Sequence, residues 1–193
     1  MRDGQTATRI AEAARDILDR EGHNAVTVRR VAGAVGITPM AVYRHYPNHQ
    51  GLLSALADEG FIELAARLST LPLAGETEVA LTRVLDAYLD FGFENPRLFE
   101  LMFLQRREGA RQFPKDFRAR KSPTANLFSD VIRRGMDDGY FREDDCWEIT
   151  FEMGALLQGL IMLFIGGRVG MSRPQFRRYC QRAFQRYLNG IRR

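Results

Sequence analysis

The chain has 193 residues, 45% of them hydrophobic and 27% charged, and a formal net charge of +4. That balance belongs to a globular protein and excludes disorder as the default, and the length suffices for one large domain or two small ones with a real core. Cys146 and Cys180 are widely spaced with no CxxC motif, so a disulfide framework is excluded and buried free thiols are expected.

The charge is not concentrated in one half. Residues 1–50 carry seven Arg against five acids, and residues 51–193 carry 21 basic residues against 19 acids. The first residues lack the charged-then-apolar pattern of a signal peptide, and the longest charge-free apolar run, residues 153–167, is shorter than a membrane span. A cytoplasmic protein is expected.

A first helix is predicted to run to about Arg20, capped by Thr6 or Thr8 after a frayed start at residues 1–5. Ile10, Ala13, Ala14, Ile17 and Leu18 form its apolar stripe, and Gly22 ends it. The stretch TVRRVAGAVGITPMAVYRHY, residues 27–46, follows. Val28, Val31, Ala32 and Val35 recur at i, i+3, i+4 and i+7, with Thr27 as N-cap and Gly36 where a left-handed backbone ends a helix. Thr38 then caps a second short helix, Pro39 suits its first position, and Pro47 ends it after about His45. Two short helices joined by a Gly-containing turn make a helix-turn-helix. No Asp or Glu occurs in residues 22–57, which hold Arg29, Arg30, Arg44 and all three histidines. A surface that meets phosphates excludes carboxylates in this way.

Asn48 is predicted to cap a fourth helix to about Leu68, and the acid-free zone ends inside it, which sets a domain boundary near residue 50. A loop at residues 69–75 leads to a fifth helix at 76–94, and Asn95-Pro96 punctuates it before a sixth. Residues 105–121 are strongly basic and read as a solvated loop, with a second nucleic-acid contact as the alternative. A seventh helix spans about 123–138. Asp144 is expected to cap an eighth, to about Arg168, that is apolar nearly all round and so must be covered by its own core and by a partner chain. Gly154, Ala155 and Gly159 allow close approach there. Ser172 caps the ninth helix, whose arginines at 177, 178, 182 and 186 form a wet face.

The order and spacing of Thr-Val, Val-Ala-x-x-Val-Gly-Ile-Thr, Val-Tyr-x-His-Tyr-Pro and Leu-Leu over residues 6–56 resemble the DNA-binding domain of TetR-family transcriptional regulators. NPRLFELMF, residues 95–103, resembles one branch of their C-terminal domains. The resemblance implies an all-α fold of about nine helices: a three-helix helix-turn-helix domain at 1–50 and a larger regulatory and dimerisation domain at 51–193. It implies a homodimer built by the last two helices, a palindromic double-stranded operator and a small-molecule effector, with no enzyme activity, cofactor or metal. Most members act as ligand-released repressors.

On that resemblance Thr27 and Thr38 cap helices facing phosphates, and Pro39, Met40 and Arg44 occupy the variable recognition positions. Tyr43 and His45 match phosphate contacts, and Arg29 or Arg30 adds a backbone contact. Two positions depart from the family pattern. Ala41 lacks the usual threonine hydroxyl, and His49 stands where a lysine is usual, so a phosphate contact there is expected to weaken above pH 7. Candidate effector-lining residues are Phe91, Phe99, Met102, Phe103, Phe128, Trp147, Phe151 and Met162, with ordinary core as the alternative for each. Glu152 and Gln158 are polar groups in an apolar helix and must be satisfied or functional. Glu152 either faces the cavity, favouring a cationic or hydrogen-bonding ligand, or pairs with an arginine. Two other readings stay open: a dimeric regulator with a filled core, and an all-helical enzyme or carrier, for which no nucleophile–base pair, metal cluster or phosphate loop stands out.

Overall fold

Local signals set most of the helix ends, and tertiary contacts decide how the helices group. The computed structural model describes residues 2–107 and 109–193, and the named elements among them are all helices. In order they are α1 (Arg2–Glu21), a 3-10 turn (His23–Ala25), α2 (Val28–Val35), α3 (Pro39–Tyr43), α4 (His49–Ser69), α5 (Thr77–Glu94), α6 (Pro96–Leu104), α7 (Lys115–Arg118), α8 (Pro123–Asp137), α9 (Cys146–Ile165) and α10 (Arg173–Ile191). They form two compact units, Met1–Phe61 with Asn95–Ala110, and Ile62–Glu94 with Arg111–Arg193. The division thus falls inside α4 after Phe61, beyond residue 50, and α6 groups with the N-terminal helices.

In the first unit α1 packs on α2 and α6, and α2 on α3. Ile10, Leu18, Val26, Val31, Val42, Leu52, Leu98 and Phe99 are fully buried, each side chain of this kind contributing about 1.5–3 kcal/mol. Polar ties fix α6. Arg15 donates to Asn95 Oδ1 at 2.7 Å, and Arg97 donates to the Asp19 carbonyl at 3.3 Å. Gly60 of α4 lies so close to α6 that a Cβ there would sit 2.6 Å from the Met102 sulfur. Phe61 meets Phe103 edge-on at 5.2 Å. Arg107, only 5% exposed, pairs with Asp58 at 3.1 Å and lies over the Phe61 ring at 5.5 Å.

In the second unit α8 packs on α9 and α5, and α10 on the same two helices. Leu81, Leu89, Phe91, Ile132, Met153, Leu157, Phe176, Cys180 and Phe184 form the core. Arg177 of α10 pairs with Asp86 and Asp90 of α5, and Gln181 donates to Asp86 at 3.0 Å. Gly135 lets α8 approach: a Cβ would meet Phe141 and Thr77 at 2.7 Å. Both cysteines are buried and free. Burial pushes the Cys180 thiol up to about 12, so it stays protonated and inert.

Two expectations need correction. α1 begins at Arg2, so Thr6 and Thr8 are inside it, and Thr8 Oγ1 donates to the Gly4 carbonyl at 3.1 Å rather than capping. The cap of α9 is Asp145, not Asp144: its carboxylate accepts from the Trp147 amide at 2.9 Å and the Glu148 amide at 3.3 Å. The described residues also contain a tenth α-helix, α7, within the basic segment.

Candidate nucleic-acid interface

Thr27 is extended, and its Oγ1 accepts from the Arg30 amide at 3.3 Å to start α2. Gly36 takes a left-handed conformation, φ 73°, that ends it. Thr38 repeats the cap, accepting from the Ala41 amide at 3.3 Å, with Pro39 at the first position of α3. Only three residues, 36–38, therefore separate the two helices. Arg9 of α1 donates to the Val35 carbonyl at 2.7 Å, placing a cation on the last turn of α2 where the helix dipole favours it. Nothing in the local sequence announced that contact.

Val42 is fully buried and fixes the rotation of α3. Pro39, Met40, Tyr43 and Arg44 are brought together on its outer face, with Met40 68% and Tyr43 45% exposed. His45 is half-buried beside them. Tyr46 is half-buried, and its hydroxyl pKa is raised by burial and by Glu59.

The two arginines of α2 divide. Arg30 pairs with Glu21 through both terminal nitrogens, which raises its pKa and lowers that of Glu21. Arg29 is exposed and has no ion-pair partner among the described residues, and Arg44 likewise. His49 does not reach outward as expected: its Nε2 lies 2.6 Å from the Val26 carbonyl, to which the protonated nitrogen donates. The ring ties the start of α4 to Val26 at the end of the 3-10 turn, so this nitrogen is unavailable to a phosphate.

The ten candidate effector residues are divided between the two units. Phe99, Met102 and Phe103 belong to the first unit, where Phe99 and Phe103 pack at 4.6 Å; the other seven belong to the second. Phe91 and Phe128 are core, Trp147 and Met162 are half-buried, and Phe151 is 44% exposed. Gln158 donates to the Tyr88 hydroxyl at 3.3 Å, and burial raises the Tyr88 pKa, keeping it protonated. Glu152 is exposed and accepts from the Tyr187 hydroxyl at 2.5 Å, so its partner is a phenol rather than an arginine. A cleft of about 660 Å³ in the second unit is lined by Glu76, Glu78, Arg83, Asp138, Tyr140 and Arg192 among others, and by none of the ten. Among the described residues no group of three His, Cys, Asp or Glu side chains is placed to hold a metal ion.

Two family models match the chain. That of bacterial regulatory proteins of the tetR family covers residues 10–56, and that of tetracyclin repressor-like C-terminal domains covers residues 81–187. The uncharacterized HTH-type transcriptional regulator YobS of Bacillus subtilis (strain 168) is 25% identical over 162 residues, 84% of this chain and 80% of its own length. A protein of unknown function from Rhodococcus sp. RHA1 shares the fold with a TM-score of 0.78 at 21% identity, over 97% of this chain and 96% of its own. RolR, solved in complex with the ligand resorcinol, superposes with a TM-score of 0.71 at 16% identity, over 98% of this chain and 89% of its own. The matched models span both the helix-turn-helix and more than half of the chain, and the chain belongs to the TetR family of DNA-binding transcriptional regulators.

Proposed function

We propose that two copies of the chain bind a palindromic operator through the outer face of α3, and that a small molecule bound by the regulatory part releases them, as in a repressor. The observation that carries the reading is that Met40, Tyr43 and Arg44 stand together and exposed beside two capped helix starts, within a run of residues, 22–57, that contains no Asp or Glu. Arg44, Arg29 and the Tyr43 hydroxyl supply backbone contacts, and Pro39 and Met40 offer apolar contacts to thymine methyl groups. His49 supports this face from behind. Two such faces would enter successive major grooves about 34–36 Å apart.

The exposed side of α9 supports the dimer. Ala155 and Gly159 are exposed between Phe151 and Leu163, which are 44% and 48% exposed. The helix is long and apolar enough to cross a membrane by composition alone, and a second copy laid on its small residues covers the same face. An operator-binding protein acts in the cytoplasm.

Regulation follows the chain path. The backbone leaves the second unit after Glu94, forms α6 within the first, and re-enters the second at Arg111. A ligand that shifts α5 or residues 111–121 therefore pulls on a helix bolted to α1 and α4, and the population moves away from the DNA-bound form.

Selection from a random duplex library at fixed salt tests the reading. One palindrome with half-sites about one helical turn apart supports it, and purely diffuse, salt-sensitive binding removes it. Thermal stabilisation by any member of a small-molecule panel separates the effector-responsive regulator from a dimer with a filled core.

A further inference from the structure

Residues 111–121 cross the surface of the second unit and carry α7 at their centre. No residue of this segment is buried. Its fold is largely self-contained: Gln112 donates its amide to Asp116 at 2.9 Å, Lys121 pairs with the same carboxylate at 3.0 Å, and Arg111 donates to the Lys121 carbonyl at 2.7 Å. Its next-to-last residue, Arg120, has a φ of 55°, a left-handed conformation that costs a non-glycine residue about 1–2 kcal/mol.

The segment is held to the helices below by two kinds of contact. Arg118 pairs with Asp145, the cap of α9, and lies 3.9 Å from Glu148, while Arg120 makes two hydrogen bonds of 2.9 Å to Asp130 of α8. Four of these five charged groups are open to water and Asp145 is half-buried, and such surface pairs are weak and screened by salt. Between them, Phe113 stacks on Phe151 of α9 at 4.4 Å, Phe117 meets Phe151 edge-on at 5.8 Å, and Arg120 lies over the Trp147 ring at 5.8 Å.

We propose that residues 111–121 form an ion-latched strap that lifts from α8 and α9 as one piece while the rest of the second unit stays folded, uncovering Phe151 and Trp147. A segment with internal hydrogen bonds, no buried side chain and surface ion pairs as its fastening opens at the low end of the free-energy range of local unfolding. The latch is Arg118 to Asp145 and Arg120 to Asp130; the aromatic contact is the seat. Under the effector reading, which this clause alone rests on, the lifted strap is the way in. The opening itself requires no effector, and neither does its test.

Trp147 is the chain's single tryptophan, so its fluorescence reports on the strap directly. The experiment compares the full chain with an Arg118→Ala/Arg120→Ala variant and with Phe113→Ala, at about 0.05 M and about 1 M salt, where the screening length falls to about 3 Å. Acrylamide quenching of Trp147 and amide exchange of residues 111–121 are both read. Quenching and exchange are expected to rise about two- to fivefold for each ion pair removed. High salt should bring the unaltered chain close to the double variant, with α9 and α10 amides unchanged. Phe113→Ala should open the strap at both salts. Strap amides as strongly protected as those of α9 overturn the proposal. So do strap amides that exchange freely in every protein at both salts, or Trp147 quenching indifferent to the latch.

Discussion

Arg44 and Arg29 are exposed with no carboxylate partner among the described residues, whereas Arg30 is spent on Glu21. If Arg44 meets a phosphate, Arg44→Ala should weaken all duplexes alike and reduce the slope of log affinity against log salt by about 1. Anisotropy titrations at four salt concentrations measure that slope, and an unchanged slope with altered sequence preference would instead place Arg44 on a base. His49 makes a different kind of prediction. Its ring satisfies the Val26 carbonyl, so His49→Ala should destabilise the chain by about 0.5–1.5 kcal/mol, visible as a lower Tm. An unchanged Tm with weakened DNA binding would restore the phosphate role.

At the scale of elements, much was legible because it is local. A cap, an i, i+3, i+4 stripe and a glycine that must turn left-handed specify α2, the turn and α3 within twenty residues, and the structure has all three. Adjacent aspartates hid which one caps α9, since the choice between Asp144 and Asp145 depends on one residue of backbone path. The short helix α7 was masked by charge: KDFR has too few apolar positions to show a period. The effector residues were the least legible, because aromatic side chains on neighbouring helices read the same whether they line a cavity or fill a core.

The α9 cap also has a pH consequence. Burial pushes the Asp145 carboxyl up, but the Trp147 amide, the Arg118 guanidinium and the Glu148 amide together hold it below its ordinary value. A depressed folded pKa means stability that is present above the unfolded value of about 3.9 and is lost as pH falls through the lower folded value. The start of α9 should therefore loosen in acid. Asp145→Asn keeps a good cap but carries no charge, so Trp147 fluorescence should change less between about pH 4 and pH 2 in the variant than in the unaltered chain. Equal changes in both proteins would assign the acid transition to other carboxylates.

For the whole molecule, the exposed face of α9 is the surface on which the proposed dimer is tested. A Cβ at Gly159 would meet nothing within 4 Å in the protomer. Leucine is thus free to stand there in an isolated chain, where glycine is the poorer helix former by about 0.5–1 kcal/mol. Gly159→Leu should leave helix content unchanged and, if a second copy lies on this face, sediment as a monomer at concentrations where the unaltered chain is a dimer. A dimer that tolerates leucine would move the interface elsewhere.

The return of residues 95–110 to the N-terminal unit also limits what evolution does by recombination. A crossover near residue 61 transfers a DNA-reading head without α6, so the new head must fit the recipient's Leu98, Met102 and Arg107 against its own equivalents of Gly60, Phe61 and Asp58. Heads and bodies are interchangeable only as matched sets across α4 and α6. A chimaera that exchanges residues 1–61 together with 95–110 should remain folded where one exchanging 1–61 alone does not.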